Sequence, residues 1–511
     1  MKRMTERKMF GVIRVSLVAL IIVLQLIFVF TLVRSLQSSS LYVYLALEAV
    51  SILQIIILVG RDSAPSYTIA WVLIIAMLPG FGFLLYALWG KSSVKGKRPD
   101  AIRAAIKRSR PFLPQNEEEL AELIDQCPKR KRTAVYLKNH GFPVYQHTSC
   151  RYFPLGEQQF IALLDDIKRA ERFIFLSTFI LNTGIIWSEL RDALIERARH
   201  GVDVRIMFDD LGSIFTAPDR LESDMKAHGI KIIRFNPVHK FVSRLGFNYR
   251  NHQKITVIDG QIGYTGGANI ADEYANLIVR FGHWKDTAIR LEGEAVFSLT
   301  VTFLELWEAE TGERQDYDAY RPSTQAESDG FFQPFSDGPA NNPRNPAETM
   351  YRQMIANADR YVYFSTPYFV VPHDMMETIC ASAESGVDVK IIVPKMWDRW
   401  YVGIVSRSNY QRILEAGGKI YEYTPGFIHA KTMVCDDDQA ITGSINMDYR
   451  SFHMHFENGV WICGSSVLKP IITDFEQTLA QCELVTLESH ALRPWYHKIL
   501  ERILRVFAVL M

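Results

Sequence analysis

Hydrophobic and polar positions divide the chain into an apolar N-terminal region and a longer part with the mixed pattern of a globular protein. Three nearly uncharged stretches open the sequence, at 15–33, 41–59 and 69–89. Each has about the 20 residues that a helix needs to cross a bilayer. Pro79 and Gly80 in the third stretch indicate a kink or a re-entrant turn. We therefore expect residues 1–90 to form a membrane region with two to three transmembrane helices.

The alternation of polar and apolar residues beyond this region repeats in two halves of the chain. In the first half, a strand-like run at 172–178 is followed by a helical stretch, a glycine turn and a second strand. In the second half, the segments 360–366 and 384–392 have the same order and closely similar residues. Strand, helix, turn and strand form a βαβ unit, whose two strands pair in parallel. The repeat predicts a duplicated α/β fold, with two pseudo-twofold-related mixed-sheet halves and flanking helices at 135–325 and 326–511.

Each half carries the same short string of polar residues near its end. A lysine lies two positions after a histidine, an aspartate follows after four more residues, and a glycine-rich turn then leads to an asparagine. The two strings are His252, Lys254, Asp259 and Asn269, and His429, Lys431, Asp436 and Asn446. Residues two apart in a strand share a face, so each histidine and its lysine point the same way. A pseudo-twofold axis would bring both pairs to one pocket for a phosphodiester anion, with histidine as nucleophile or general acid and with lysine and asparagine on the phosphoryl oxygens.

Basic residues flank the apolar region on both sides. Five lie within the first 14 residues, and eight basic residues stand against one acidic residue at 91–110. The positive-inside rule places both flanks in the cytoplasm, whereas three crossings put them on opposite sides of the membrane. We expect a cell-membrane protein with several crossings and a cytoplasmic catalytic domain. Residues 91–134 are predicted to form a basic linker, which is either solvated or attracted to anionic lipid headgroups.

The composition of the whole chain limits the classes of function. Formal net charge over 511 residues is +1, so no bulk positive field argues for nucleic-acid binding. The six cysteines include no Cys-x-x-Cys pair, and their spacing predicts neither a zinc site nor a disulfide framework. No carboxylate cluster of the metal-ligand type accompanies the two histidine strings, so we expect catalysis without a metal.

The two strings resemble the paired signature motifs of the phospholipase D superfamily. Segments outside them resemble bacterial cardiolipin synthases, at 71–90, 139–143, 284–287, 303–307, 336–339 and 365–369. The resemblance implies transfer of a phosphatidyl group between two phosphatidylglycerol molecules, giving cardiolipin and glycerol through a phosphatidyl-histidine and without a cofactor. It assigns catalytic roles to His252, Lys254, Asp259, His429, Lys431 and Asp436. The family pattern leans to His252 as the nucleophile.

Residues near the two strings are candidates for supporting roles. Ser444 stands where the first half has Gly267, and its hydroxyl is predicted to join Asn269 and Asn446 in binding the phosphate. Asp286 and Glu457 follow their strings at similar places. Each is predicted to accept a hydrogen bond from one catalytic imidazole and so to fix its tautomer. The competing interpretation is an ordinary acidic residue at the edge of the next strand.

Other features of the sequence have two interpretations as well. Asp259 and Asp436 either take part in the chemistry or pair within the motif loops and support folding. His453 and His455 lie beside the second string, and we interpret them as structural. The tail at 495–511 has the pattern of an amphipathic helix, suited either to the membrane surface or to packing on the catalytic body.

The expected partners are phosphatidylglycerol and anionic membrane lipid, and not nucleic acid. A nuclease of the same superfamily is disfavoured by the apolar spans and by a net charge near zero. The main alternative is a related membrane phosphatidyltransferase or phospholipase D with another donor or acceptor, such as phosphatidylethanolamine, water or a different alcohol. The sequence predicts no oligomeric state.

Overall fold

The computed structural model describes six segments of the chain: 38–60, 65–78, 80–90, 97–237, 249–339 and 345–508. The predicted membrane span at 15–33 lies outside the described residues. The chain divides into two compact units. An apolar unit comprises Met1–Ser93, Pro237–Asn248 and Ile503–Met511, and an α/β unit comprises Val94–Asn236 and Tyr249–Arg502.

The described N-terminal part of the apolar unit forms the helices α1 Ser38–Val59, α2 Pro65–Met77 and α3 Phe81–Trp89. Within the six segments, the stretch Tyr42–Val59 of α1 is the one that is long and apolar enough to cross a membrane. Helices α2 and α3 have 13 and 9 residues. At about 1.5 Å per residue neither spans a hydrocarbon core of roughly 30 Å. The predicted third span at 69–89 is therefore not one continuous crossing helix.

Helices α2 and α3 form a hairpin. The hydroxyl of Tyr67, near the start of α2, donates a hydrogen bond of 2.8 Å to the carbonyl of Gly90, which follows α3. Midway along, the rings of Trp71 and Tyr86 pack edge to face at 5.2 Å between centroids. Gly80 precedes α3 with φ +80°, a conformation that glycine adopts without steric cost. The chain therefore leaves this hairpin at the end where it entered.

The first half of the α/β unit is built around one mixed sheet. Three helices precede it in the chain, α4 Lys97–Ser109, α5 Glu117–Gln126 and α6 Lys131–Asn139, of which α5 and α6 pack in the core of the second half. Its own helices are α7 Gly156–Lys168, α8 Ile185–Arg199, α9 Leu221–Ala227 and α10 Val296–Thr311. Its strands are β1 Thr148–Phe153, β2 Phe173–Thr178, β3 Asp203–Asp209, β4 Lys231–Phe235, β5 Arg250–Asn251, β6 Ile255–Ile258, β7 Ile262–Gly266, β8 His283–Lys285 and β9 Ala288–Gly293. The sheet order is β1-β9-β7-β6-β2-β3-β4. The strands β2, β3 and β4 pair in parallel, and the others are antiparallel.

The second half repeats this sheet strand for strand. Its strands are β10 Phe331–Asp337, β11 Tyr361–Ser365, β12 Asp388–Pro394, β13 Lys419–Tyr423, β14 Gly426–Ile428, β15 Thr432–Cys435, β16 Gln439–Gly443, β17 His455–Cys463 and β18 Cys482–Val485. The order β10-β17-β16-β15-β11-β12-β13 matches the first sheet, and β18 is added at the edge. Its helices are α11 Pro346–Ala356, α12 His373–Glu384, α13 Trp400–Arg407, α14 Tyr410–Glu415, α15 Tyr449–His453, α16 Leu468–Leu479, α17 Leu487–Ala491 and α18 Trp495–Val506. The predicted duplicated α/β fold is confirmed.

The two halves share a core and exchange short strands. One hydrophobic cluster contains Phe175 and Ile289 from the first sheet and Val434 and Val460 from the second. Strand β5 of the first half pairs in parallel with β17 of the second half. In return, β14 of the second half pairs in parallel with β8 of the first. Each half is therefore completed by the other, and the exchanged strands lead directly to the two histidine strings.

The predicted basic linker at 91–134 is largely folded into the α/β unit. Ile102 and Ile106 of α4, four residues apart on one helix face, are buried in the core shared by the two sheets. The basic side chains on the other faces pair with acids on α10: Arg98 lies 2.7 Å from Glu310, and Arg108 pairs with Glu308. These two cations therefore form ion pairs within the fold. A count of charges in the sequence does not show such pairing, and for that reason it indicated a linker.

Candidate active site

The exchanged strands place both motif histidines in one site. The backbone N–H of His252, which follows β5, donates a hydrogen bond of 2.9 Å to the carbonyl of Phe456 in β17. The N–H of His429, which follows β14, donates one of 2.7 Å to the carbonyl of Lys285 in β8. Both imidazoles are buried, with 7% and 5% of their surface exposed. Each histidine is therefore held by the backbone of the opposite half.

Each imidazole also binds a carboxylate from the opposite half. Nδ1 of His252 lies 2.8 and 3.0 Å from the two oxygens of Glu457. Nδ1 of His429 lies 2.6 Å from Oδ2 of Asp286. An ionised carboxylate only accepts hydrogen bonds, so Glu457 assigns the proton of His252 to Nδ1 and the free lone pair to Nε2. On His429, Nζ of Lys431 lies 3.2 Å from Nε2 as well, so that nitrogen has a polar neighbour of its own. The two predicted supporting carboxylates therefore lie where such a role requires, in crossed pairs.

The two carboxylates are held in different ways. Glu457 is fully buried and accepts hydrogen bonds from the hydroxyls of Ser444 and Ser451. Asp286, also fully buried, accepts from the backbone N–H of Thr287 at 2.9 Å. A Cβ at Gly267, the counterpart of Ser444, would lie 2.1 Å from Oδ1 of Asp286. The serine that the sequence assigns to the phosphate thus contacts a supporting carboxylate, and the glycine makes room for the other one.

Two lysines surround the imidazoles with positive charge. Nζ of Lys254 donates to the carbonyl of His252 at 2.6 Å, and Nζ of Lys431 lies 2.9 Å from Nδ1 of His429. Burial lowers the pKa of Lys254 to about 7 and that of Lys431 to about 8, because the charged form loses its hydration. Burial, together with the charges of the same lysines, lowers the pKa values of both histidines well below the usual range. The free site therefore holds neutral imidazoles and is suited to an anion.

The two motif asparagines have different surroundings. The amide of Asn269 is used by its own half: Oδ1 accepts from the N–H of Ile180 at 3.0 Å, and the amide nitrogen donates to the Tyr274 hydroxyl at 2.7 Å. The Tyr274 ring packs against His429 at 5.3 Å. Asn446 is buried, and within the described segments its Oδ1 has no hydrogen-bond partner. Of the two motif asparagines, Asn446 is therefore the one that retains an unused polar atom.

The two motif aspartates, to which the family resemblance assigns a catalytic role, lie away from the imidazoles. They stand just beyond the far ends of β6 and β15, five residues and therefore roughly 16 Å along the strand from the lysines. Asp259 accepts hydrogen bonds from the N–H groups of Glu171, Arg172 and Phe173. Asp436 accepts from the N–H groups of Asp359, Arg360 and Tyr361 and from Arg130. Each aspartate therefore clamps the start of the central strand of its sheet, which is the structural interpretation.

Three residues near the site were not assigned a functional role from the sequence. The ring of Phe179 lies 5.0 Å from that of His252, and the ring of His455 lies 5.3 Å from it. Nε of Arg450 is 3.2 Å from Nε2 of His455. In the sequence, His455 lies two residues before Glu457 and shares its strand face, and that spacing was the available signal.

One group of side chains has the composition of a metal site. Ligand atoms of His252, His455 and Glu457 lie within 4.8 Å of one another, which is the one such group among the described residues. The Glu457 carboxylate is already occupied by two hydroxyls and an imidazole. The charges of Lys254 and Lys431 act on His252 and oppose a further cation. The group therefore fits an anion site better than a metal centre.

The duplicated sheet and the crossed histidine–carboxylate pairs define a phospholipase D-like protein. A family model described as "Cardiolipin synthase, PLD-like domain" matches residues 163–279 and 351–479, and one described as "Phospholipase_D-nuclease N-terminal" matches 49–91. Cardiolipin synthase 1 of Bacillus cereus is 32% identical over 509 residues, covering 96% of this chain and 99% of that protein. The chain belongs to the cardiolipin synthase family.

Other relatives agree with this family and with this fold. A cardiolipin synthase of Halalkalibacterium halodurans is 32% identical over 462 residues, covering 89% of this chain and 91% of that protein. An uncharacterized protein of Streptococcus mutans is 37% identical over 425 residues, covering 82% and 91%. The crystal structure of a phosphatidylserine synthase from Haemophilus influenzae superposes with a TM-score of 0.57 at 14% identity, covering 74% of this chain and 97% of that one. At that identity the structural likeness shows the fold alone.

Proposed function

We propose that this protein is a cardiolipin synthase that transfers a phosphatidyl group from one phosphatidylglycerol to a second one, releasing glycerol. The observation that carries the proposal is the crossed pairing of His252 with Glu457 and of His429 with Asp286 in one buried, lysine-lined site. The free Nε2 of His252 supplies a nucleophile, and His429 with Asp286 supplies an acid–base group for exchange at phosphorus. Family membership supports phospholipid as the substrate class.

In the first step, Nε2 of His252 attacks the phosphorus of the donor lipid. The bond from phosphorus to the glycerol oxygen breaks. That oxygen takes the proton on Nε2 of His429, the Asp286 carboxyl proton passes to Nδ1, and free glycerol leaves while Asp286 becomes ionised. The phosphatidyl group is then bonded to His252, and Glu457 stabilises the positive charge on the substituted imidazole. Lys254 and Lys431 neutralise the charge that accumulates on the phosphoryl oxygens.

In the second step, a hydroxyl of the acceptor headgroup gives its proton to His429 and attacks the same phosphorus. The phosphorus–nitrogen bond breaks, His252 is restored, and the product is cardiolipin. One phosphodiester is exchanged for another, so the reaction needs no nucleotide. The site is then ready for another donor, and the proton has returned to the pair formed by His429 and Asp286.

The two supporting carboxylates favour this assignment of roles. Burial raises the pKa of Asp286 to about 7, so the pair of Asp286 and His429 can hold or release a proton near neutral pH, as an acid–base group must. Glu457 instead accepts two hydroxyl hydrogen bonds and serves as a fixed acceptor for the Nδ1 proton of His252. A permanent Nδ1–H leaves the lone pair of Nε2 free for nucleophilic attack.

The test uses the purified full-length protein in mixed micelles with labelled phosphatidylglycerol and no nucleotide. We expect cardiolipin and free glycerol in equal amounts. His252→Ala and His429→Ala should each lower turnover at least ~10³-fold, because the two imidazoles act as one unit. Phosphatidic acid as the main product would mean that water resolves the intermediate. Turnover only with phosphatidylethanolamine or another alcohol would keep the mechanism but identify a different substrate. Full activity in either histidine variant would contradict the shared site.

We also propose that the chain crosses the membrane twice and holds its α/β unit in the cytoplasm. The predicted span at 15–33 and helix α1 would be the two crossings, and the α2–α3 hairpin would enter and leave on one side. This arrangement places the basic residues on both sides of the apolar region in the cytoplasm, as the positive-inside rule requires. Helix α18 exposes Trp495 and Ile499, four residues apart, which favours contact with the membrane surface. Green fluorescent protein fused to either end of the full chain should fluoresce, and a silent C-terminal fusion would contradict the proposal.

A further inference from the structure

The loops around the two histidines differ between the halves, although the sheets correspond. The register pairs Phe173 with Asp203 in the first sheet and Tyr361 with Asp388 in the second. Counting forward along each strand from these pairs shows which loop residues of the two halves occupy corresponding positions. The first loop wall consists of Phe179, Ile180, Ser213, Ile214 and Phe215, and the second consists of Pro367, Tyr368, Asp398, Arg399 and Trp400. One wall is therefore mainly apolar, and the other carries a tyrosine, a carboxylate and a guanidinium.

The polar groups of the first wall are satisfied within that wall. The hydroxyl of Ser213 donates to the carbonyl of Phe179 at 3.1 Å and accepts from the N–H of Leu181 at 3.0 Å. The ring of Phe179 packs on His252 at 5.0 Å. This side of the site offers apolar surface to a substrate.

The second wall keeps polar atoms that the fold does not use. The Tyr368 hydroxyl donates to Oδ2 of Asp398 at 2.6 Å, while Oδ1 of the same carboxylate has no hydrogen-bond partner within the described segments. The side chain of Arg399 is 51% exposed, and its nearest carboxylate, that of Asp398, is 3.9 Å away. That separation is too long for a hydrogen bond, so the guanidinium is available to an anion.

A second guanidinium lies beside the same wall. Nε of Arg450 contacts His455 at 3.2 Å, and the His455 ring lies 5.3 Å from that of His252. After burial, which is the main cause, the charge of Arg399 contributes to lowering the pKa values of both Arg450 and His429. On the other side, the Tyr368 ring, whose hydroxyl binds Asp398, lies 6.4 Å from the Phe427 ring, which lies 5.9 Å from that of His429. The two cations therefore belong to walls beside the two imidazoles.

We propose that Asp398, Arg399 and Arg450 form a subsite for the glycerophosphate headgroup of the acceptor lipid. The two guanidiniums bind the acceptor's own phosphodiester, and Oδ1 of Asp398 accepts a hydrogen bond from its glycerol hydroxyl. This inference rests on the proposed function, because an acceptor that is itself a phospholipid carries a second phosphate one glycerol away from the reacting phosphorus. Water and simple alcohols lack that phosphate. The subsite thus explains how the intermediate selects a lipid over other hydroxyl compounds.

The test measures how the phosphatidyl-enzyme divides between two acceptors. Full-length protein in mixed micelles receives phosphatidylglycerol and a fixed excess of deuterated glycerol. Transfer to a second lipid gives cardiolipin, and transfer to deuterated glycerol gives deuterated phosphatidylglycerol, so mass spectrometry yields their ratio. Because both products arise from one intermediate, losses in folding or in the first step cancel in that ratio. In Arg399→Gln we expect the ratio of cardiolipin to deuterated phosphatidylglycerol to fall about tenfold or more, the effect of one charge-assisted contact.

A matched control and a second variant make the result decisive. Arg352→Gln removes a guanidinium that is 41% exposed and 3.6 Å from Asp374 on the same half, and its ratio should stay within about twofold. Arg399→Lys keeps the charge without the planar fork and should give an intermediate ratio. It also supplies the measurement if Arg399→Gln is inactive. An unchanged ratio in the Arg399 variants, with cardiolipin formed by the wild type, would overturn the subsite. Glycerol exchange without cardiolipin in the wild type would instead overturn the proposed function.

Discussion

The clamp formed by Asp436 leads to the most specific prediction, because it separates a structural role from a catalytic one. The carboxylate of Asp436 accepts hydrogen bonds of 2.8, 2.8 and 3.0 Å from three consecutive backbone N–H groups at the start of β11. It also accepts one of 3.0 Å from the guanidinium of Arg130. The change Asp436→Asn removes the negative charge but keeps one acceptor oxygen. Asparagine also tolerates the left-handed backbone at this position, where φ is +54°.

The magnitude follows from the pKa of this carboxyl group. Burial alone would raise that pKa, but the hydrogen bonds from the backbone and from Arg130 outweigh burial and lower the pKa from 3.8 to about 2. The side chain is only 6% exposed, so solvent screening is slight. About two pKa units correspond to roughly 2.5 kcal/mol of folding free energy. At about 2.1 cal/mol/K per residue over the roughly 400 residues of the α/β unit, that loss lowers the melting temperature by about 3 °C.

The pH dependence has a defined sign. The pKa is lower in the folded protein than in the unfolded chain, so the ionised Asp436 contributes its full stability above the unfolded value of 3.8. That contribution is lost as the pH falls from 3.8 towards 2. The difference in melting temperature between wild type and Asp436→Asn should therefore be constant between about pH 5 and 8 and should shrink below pH 4.

Thermal unfolding of the detergent-solubilised full chain, combined with the lipid-transfer assay, tests this prediction. We expect Asp436→Asn to melt about 3 °C lower but to transfer lipid at a rate close to that of the wild type below its melting temperature. The matched control is Asp437→Asn at the neighbouring position, where the carboxylate is 54% exposed and a smaller shift is expected. An unchanged melting temperature with abolished transfer would refute the structural assignment and would return Asp436 to the chemistry.

Two further predictions concern the site itself. A Cβ at Gly267 would lie 2.1 Å from Oδ1 of Asp286, so Gly267→Ala should displace the carboxylate that orients His429 and lower the rate of lipid transfer by about 100-fold. An unchanged rate would contradict the crowding argument. Because the pKa values of the buried Lys254 and Lys431 are about 7 and 8, each ammonium is charged only below its value, and KM for phosphatidylglycerol should rise between about pH 7 and 9. A KM that stays constant over this range would show that neither lysine binds the anion.

The internal repeat and its two polar strings were sufficient to predict the fold, because the same order of strand, helix and polar motif occurs in each half of the sequence. The crossed pairing was not predictable in the same way. The spacing in the sequence places Asp286 and Glu457 after their own motifs, and nothing in it shows that Glu457 faces His252 of the other half. That pairing depends on the exchange of β5 and β14 between the halves, which is a tertiary feature. Strand β5 has only two residues, and so short a pattern of polar and apolar residues does not predict which strand it pairs with.

The two motif aspartates were assigned to catalysis only through the family resemblance. The spacing in the chain favours the structural role, because Asp259 stands five residues after Lys254 along an extended strand, a separation of roughly 16 Å. Ser444 was predicted to bind the phosphate, and in the structure its hydroxyl donates to Glu457. A hydroxyl one position after the motif glycine can point towards a ligand or back into the fold, and only the position of Glu457 decides between these.

In the segment at 97–134, the many basic residues drew the interpretation away from a buried helix face. Its many basic residues indicated a linker, yet Ile102 and Ile106 already had the four-residue spacing of a buried helix face. The membrane region shows the opposite case. Pro79 and Gly80 indicated a break in the third apolar stretch, and α2 and α3 are two short helices folded back on each other.

The central claim is that one histidine of the shared site carries the phosphatidyl group, and trapping that intermediate tests it most directly. Full-length protein is mixed with phosphatidylglycerol, quenched within a single turnover at alkaline pH, where a phosphorus–nitrogen bond survives, and mapped by peptide mass spectrometry. We predict one phosphatidyl group per chain on the peptide containing His252 and none on that peptide in His252→Ala. Cardiolipin formation without a phosphatidyl adduct on either His252 or His429 would contradict the account.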